Sequence, residues 1–258
     1  MCANPASWAW GRAVPRTTAF TLVELLVVVS IVALLLAILL PALGMARQQA
    51  GTVRGLANLS QIGRGVLTYA EDFETMLPVG YLDLGSGVDT NWTTLIHGYL
   101  KGAAMTNAAL NPSSFLELFK DPNAQLPGGR VHYSAHPILM PDLSPLRPIK
   151  TTYSSTRLVR PAQVILVMDG AQDPLHQSNA HATAWQLDGG AIWNQWHYRG
   201  WDTDNNDPID PGPNQDARIA AGHIRWRQAG QTANFLYCDG HAGTRSAGVI
   251  TKASVRVD

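Results

Sequence analysis

Arg16-Thr-Thr-Ala-Phe20-Thr-Leu-Val-Glu24-Leu-Leu-Val-Val-Val29, continued by Ser30-Ile-Val-Ala-Leu-Leu-Leu-Ala-Ile-Leu-Leu-Pro41, decides how the rest of the chain is read. Between Glu24 and Arg47 lie 22 residues without a charge. About 20 apolar residues rising about 1.5 Å each match a hydrocarbon layer of roughly 30 Å, so this segment can span a membrane. Its N-terminal flank holds Arg12 and Arg16 and no acid. Basic residues stay on the cytoplasmic side, which sends everything after Arg47 across. An ordinary secretory signal places its small-residue cleavage site after the apolar region, so the mature protein loses that region. Here the small residue, Ala19, comes before it.

Glu24 lies five positions into the apolar run, counting Phe20 as one. An ionisable group in hydrocarbon is costly and persists mainly where it has a partner. Two readings compete: the side chain snorkels to the cytoplasmic headgroups, or it is neutralised by a cation on a neighbouring molecule. The combination of basic leader, Ala19, Phe20, Glu24 and a long apolar helix with Pro41 near its end resembles the class III signal of type IV prepilins and type II secretion pseudopilins. That resemblance implies cleavage between Ala19 and Phe20 by the membrane-embedded prepilin peptidase, which also methylates the new amine. It implies too that Glu24 pairs with the Phe20 amine of an adjacent subunit during assembly. The family usually has glycine where Ala19 stands. The implied partners are the prepilin peptidase, other pilin-like subunits, a membrane assembly platform and the lipid bilayer.

Beyond Pro41 the apolar period continues at Val53, Leu56, Leu59, Ile62, Val66, Tyr69 and Phe73, spaced as one face of a helix requires. A helix from Phe20 to Phe73 is roughly 80 Å long, far more than a membrane span needs. Its outer half must therefore cover something, and the remainder of the chain is the candidate. Pro41 removes one helical hydrogen bond and predicts a kink; two helices broken there is the competing reading. The expected organisation is a leader at 1–19, a long helix at 20–75 whose part 20–41 crosses the membrane, and a β-rich globular domain at 76–258. The fold class is α+β and pilin-like, a long N-terminal helix packed on an irregular, mainly antiparallel sheet.

Nineteen basic residues balance nineteen acidic ones. Removing the leader takes Arg12 and Arg16 and leaves the mature chain slightly acidic, so no large positive field is available and no nucleic-acid partner is expected. Of the two cysteines, Cys2 lies in the leader and Cys238 in an apolar run that reads as buried.

From Asp83 onward, glycine, proline and asparagine punctuate short apolar runs, the pattern of an irregular sheet domain. Residues 92–100 and 114–119 read as short helices, 131–134 and 164–168 as strands, the latter without alternation and so buried on both faces. Residues 233–238 and 241–245 flank Asp239-Gly240 and predict a hairpin whose two turn positions both take positive φ. This string, with His223 before it, resembles the C-terminal pattern of a group of prepilin-like proteins from planctomycete-type bacteria. Fifteen residues separate His223 from Asp239, a longer gap than that group's.

Three further constellations suggest chemistry. Asp202, Asp204, Asn206 and Asp210 offer the hard oxygen ligands that calcium takes, although Asp207 stands where an EF-hand loop needs glycine and Pro213 where it needs glutamate. Structural calcium and a solvated, turn-rich loop are the two readings. Trp185, Trp193, Trp196, Tyr198, Trp201 and Trp226 form either a contact surface or part of the core. His176, His181, His197, His223, Asp239 and His241 show no spacing that brings three ligands together, and His132 and His136 lie in a strand-like stretch. No catalytic residue is expected, nor is an enzyme. The expected function is that of a pseudopilin of a type II secretion or type IV pilus-like system. It would sit in the bacterial inner membrane as a single-pass protein, N-terminus cytoplasmic and C-terminal domain periplasmic or extracellular. The alternative is a membrane-anchored binding module for carbohydrate or protein.

Overall fold

Leucine and alanine, good helix formers, outnumber the valines from Leu22 onward, and the first element, α1, runs unbroken from Leu22 to Asp72 over 51 residues. Pro41 lies inside it. In this computed structural model the described residues are 21–83, 90–101, 117–126, 128–144, 151–176, 179–182, 184, 207–218, 222–255 and 257. The chain divides into two units, residues up to Gly44 and Met45–Asp258. Within the first, every described side chain is exposed, including Leu25, Ile31, Leu36 and Leu40. A face of this kind on all sides, in a helix long and apolar enough to cross a bilayer, fits lipid rather than water.

In the second unit the outer part of α1 buries Leu59, Ile62, Val66, Tyr69 and Ala70 in the core. Its membrane-proximal turns bury Gly51, Thr52 and Gly55. The apolar face drawn from sequence holds at Leu59, Ile62, Val66 and Tyr69 and is corrected at two positions. Val53 is exposed on the side opposite Gly51 and Gly55, against which the Asn123 and Asn234 side chains pack, and Phe73 is exposed one residue beyond α1. At Gly55 an added Cβ would lie 2.8 Å from Asn234 Nδ2, and at Gly63 it would lie 2.7 Å from Leu236 Cδ1.

The core sheet is antiparallel and four-stranded. Its strands are β3 (Tyr133–Ala135), β4 (Ile165–Asp169), β7 (Thr232–Tyr237) and β8 (Ala242–Ser246), paired in the order β3-β4-β7-β8. Tyr133 faces Asp169, Met168 faces Phe235, and Phe235 faces Gly243. All five residues of β4 are buried, as its lack of alternation requires. Two short hairpins flank the sheet: β1 (Tyr81–Leu82) with β2 (Thr90–Asn91), and β5 (Gln172–Asp173) with β6 (Asn179–Ala180). The second helix, α2 (Trp92–Lys101), starts at an Asn91 cap whose Oδ1 accepts the Thr93 and Thr94 N–H groups at 3.0 and 3.3 Å. Its Trp92 is fully buried, edge-on to Phe119, with Nε1 donating to Ala182 O at 2.8 Å.

The helix expected at 114–119 is a 3-10 turn at Glu117–Phe119, its first residues falling outside those described. The β7–β8 hairpin forms where predicted, but its turn differs. Gly240 has φ +90° and Asp239 is not among the positive-φ residues. Gly240 N–H donates to Tyr237 O and Tyr237 N–H to His241 O, both at 2.9 Å. This is a three-residue loop with a single left-handed position, so glycine is needed only there.

Candidate functional site

The first turn of α1 is closed by its own side chains. Glu24 Oε2 accepts the Thr21 N–H and the Thr21 Oγ1–H, each at 2.8 Å, and Thr21 Oγ1 accepts the Glu24 N–H at 3.2 Å. This is a reciprocal capping box, Thr21 at the N-cap and Glu24 three positions on, and it satisfies helix-start donors that lipid could not. The sequence carried the signal in Thr-x-x-Glu, and the reading of Glu24 as an assembly carboxylate passed over it. Glu24 is thus the third residue of α1, three beyond Thr21 and four beyond Phe20, and its box uses a single carboxylate oxygen. Ala19 and Phe20 lie outside the described residues.

The second arrangement of charged groups joins α1 to the sheet within the globular unit. Asp121, Asp169, Arg225, Arg227 and Gln228 are all buried. Arg227 Nε lies 3.5 Å from Asp121 Oδ2, its Nη2 lies 3.4 Å from Asp216 Oδ1, and the same nitrogen donates to Gly170 O. Arg225 Nε lies 3.0 Å from Asp216 Oδ2. Gln228 Nε2 bridges Asp121 Oδ2 at 3.0 Å and Asp169 Oδ2 at 2.8 Å, and its Oε1 accepts the Thr52 hydroxyl at 3.0 Å. Gln48 Nε2 reaches Arg227 O at 3.2 Å, and Asn234 Nδ2 reaches Thr52 O at 3.2 Å. The small residues of α1 make room for this polar joint. Each buried group depends on its partners, so the joint fixes the helix's rotation and height on the sheet more than it adds net stability.

Three carboxylates face two guanidiniums here. Burial pushes Asp169 up to about 8, reinforced by the Asp121 charge and opposed by Arg227, the Asn234 N–H and Gln228. On the far side of β3, burial lowers His136 to about 4, while its Nε2 donates to Val255 O at 2.9 Å. The two act in opposite directions. Asp169, raised in the folded state, stabilises below its unfolded pKa, and that stability is lost as pH rises towards about 8. His136, depressed, stabilises above about 6.5, and that stability is lost as pH falls towards about 4; burial lowers His132 and His223 in the same sense. The unfolding free energy of the detergent-solubilised full chain is therefore expected to fall by ~2 kcal/mol between about pH 6.5 and 8. In Asp169→Asn this alkaline slope should vanish and the acid loss between about pH 6.5 and 4 steepen, checked by urea midpoints across pH.

Elsewhere the predicted residues separate. Asp202, Asp204 and Asn206 lie outside the described residues. Asp210 is exposed and its Oδ1 accepts the Gly212 N–H at 2.9 Å, an Asx turn. Trp226 is buried, its Nε1 donating to Pro211 O at 3.1 Å, whereas the other aromatic residues of that group are not described. His181 Nε2 lies 3.4 Å from Asp173 Oδ2, and His241 Nδ1 lies 2.6 Å from Asp239 Oδ1 with its ring stacked on Tyr237. Among the described residues no three histidine, cysteine, aspartate or glutamate side chains come together as metal ligands. Cys238 is buried, which raises its thiol pKa.

Residues 15–40 match the family model described as the prokaryotic N-terminal methylation motif. A long apolar helix on an antiparallel sheet, headed by that motif, defines the class of prepilin-like proteins processed at the N-terminus. The chain is accordingly type IV pilin- or pseudopilin-like and membrane-anchored. Comparisons with curated proteins and with solved structures returned no significant match.

Proposed function

We propose that this chain is a structural subunit, a pseudopilin of a type II secretion or type IV pilus-like system. The prepilin peptidase cuts it between Ala19 and Phe20 and methylates the new amine, and the subunit then assembles with other pilin-like subunits through α1 on a membrane platform. Before assembly it is a single-pass protein of the bacterial inner membrane, its N-terminus cytoplasmic and its globular domain periplasmic or extracellular. The observation that carries this reading is the uncharged segment from Leu25 to Ala46, exposed on every side and directly behind Glu24, most of it within the motif at 15–40. Lipid satisfies such a rod while the subunit waits, and helices of neighbouring subunits replace lipid on assembly. A binding-module reading draws no support from Trp226, whose ring is buried rather than presented.

The test is cross-linking within the span. Cys238 is buried and does not compete, so Val29→Cys introduces the reactive thiol. Disulfide-linked dimers, the most that one accessible thiol per mature chain can form, are expected in cells holding the peptidase and assembly platform, and monomers in cells lacking the peptidase. Monomers in both would contradict assembly through this helix.

A further inference from the structure

The two edges of the four-stranded sheet are unlike. The β3 edge is closed: Ala135 N–H donates to Ala182 O at 2.9 Å, and Ala135 O accepts the Ala184 N–H at 2.8 Å. At the other edge, β8 pairs with nothing beyond β7 among the described residues. The register fixes which groups this leaves over. Tyr237 N–H donates to His241 O, whereas Asn234 N–H points the other way, to Asp169 Oδ2 at 2.8 Å. The ladder therefore bonds β7 to Gly243 and Arg245, and the N–H and C=O groups of Ala242 and Thr244 face outward. Thr244 O accepts from its neighbour's side chain, Arg245 Nη1, at 3.1 Å. Arg245 is exposed and forms no ion pair among the described residues. A short strand with a charged side chain folded over its own carbonyl is a guarded edge. The guard here is a cation, which a carboxylate draws off and another cation does not.

We infer that the β8 edge binds an extended segment of another protein, added antiparallel as a further strand, with an acidic residue opposite Arg245 and an aromatic residue opposite Gly243. His241, Gly243 and Arg245 share the face turned away from α1, because the residues that alternate with them and their partners, Leu236 and Asn234, meet Gly63 and Thr52. On that face Gly243 leaves room: an added Cβ would come no closer than 3.6 Å, to Arg245 Nη1, and 3.7 Å, to Tyr237 Cε2. An incoming carboxylate takes the guanidinium from Thr244 O, which frees that carbonyl for the new strand's N–H, and an aromatic ring covers the bare glycine beside Tyr237. Bonds to the Ala242 and Thr244 backbone supply affinity, and the two alternate side chains supply selectivity. Antiparallel pairing sets their order, the acid two residues before the aromatic. In this chain an acid stands two residues before a Phe, Tyr or Trp only at Glu71 and Glu117. The first pair closes the end of α1 and the second forms a 3-10 turn, so neither is extended and a second copy does not supply the strand.

Amide hydrogen exchange of the detergent-solubilised full chain, read residue by residue by NMR, tests this with the blocked peptide Thr-Thr-Glu-Thr-Tyr-Thr-Thr. Exchange at Ala242 and Thr244 is expected to slow as the peptide is added, while Gly243 and Arg245, already bonded to β7, stay unchanged. The same peptide with lysine in place of glutamate should bind about tenfold more weakly. In the Arg245→Glu variant, altered at an exposed side chain, the order of the two peptides should reverse. Exchange at Thr244 that the glutamate peptide does not slow, or a peptide order that Arg245→Glu leaves as it was, overturns the inference. Slowing at Thr244 that grows with protein concentration in the absence of peptide makes a second copy the occupant and overturns it likewise.

Discussion

Arg227→Met is expected to lower the unfolding free energy of the globular domain by about 3–5 kcal/mol. Its guanidinium is fully buried between Asp121 and Asp216. Removing it leaves Asp121 without its nearest cation, Asp216 with Arg225 alone, and Gly170 O without a donor. Folded domains have only about 5–15 kcal/mol to lose, so the variant should sit near the threshold of folding at physiological temperature. The joint also holds Gln48 and Thr52 of α1 through Arg227 O and Gln228, so the loss should spread to the helix's attachment. Urea unfolding of the detergent-solubilised full chain, followed by tryptophan fluorescence, measures it. By contrast the pair of Lys252 with the exposed Asp207, at 3.8 Å, should cost no more than ~0.5 kcal/mol when Lys252 becomes alanine.

Glu24→Ala is expected to abolish multimer formation while leaving cleavage between Ala19 and Phe20 largely intact. Glu24 closes the Thr21 box with its carboxylate, and in the proposed assembly it also offers a charge to the Phe20 amine of a neighbour, so one substitution confounds the two. Glu24→Gln separates them. The amide oxygen can still accept from Thr21, so the helix start survives, but the charge is gone. Both variants, made in the Val29→Cys chain, should fail to give span-linked dimers if charge pairing drives assembly. If Glu24→Gln assembles as well as the unaltered chain and only alanine fails, the carboxylate acts as a helix cap alone.

The long apolar helix was plain in the sequence because its signal, freedom from charge over about 20 residues, needs no knowledge of the rest of the chain. The β7–β8 hairpin and the fully buried β4 were legible for the same reason: their signals, Asp-Gly and an unbroken apolar run, are local. The docking face of α1 was legible in its outer part, where Leu59, Ile62, Val66 and Tyr69 are buried, and not in the turns nearer the span. Periodicity credits large apolar residues and gave the face to Val53, whereas the buried side carries Gly51, Thr52 and Gly55, whose value comes from what approaches them. The polar joint was illegible too, since Asp121, Asp169 and Asp216 are far apart in sequence and only the fold sets them around Arg225 and Arg227. The capping box at Thr21 and Glu24 could have been found from spacing alone.

The central claim is that a short polar leader is removed and an uncharged rod stays in the membrane as the start of the mature chain. N-terminal sequencing of the membrane-extracted protein, together with its intact mass, tests this most directly. The account predicts a chain beginning at Phe20 and heavier by one methyl group. A native form that begins downstream of Pro41, or one that keeps Met1 and is recovered free of membrane, would contradict it.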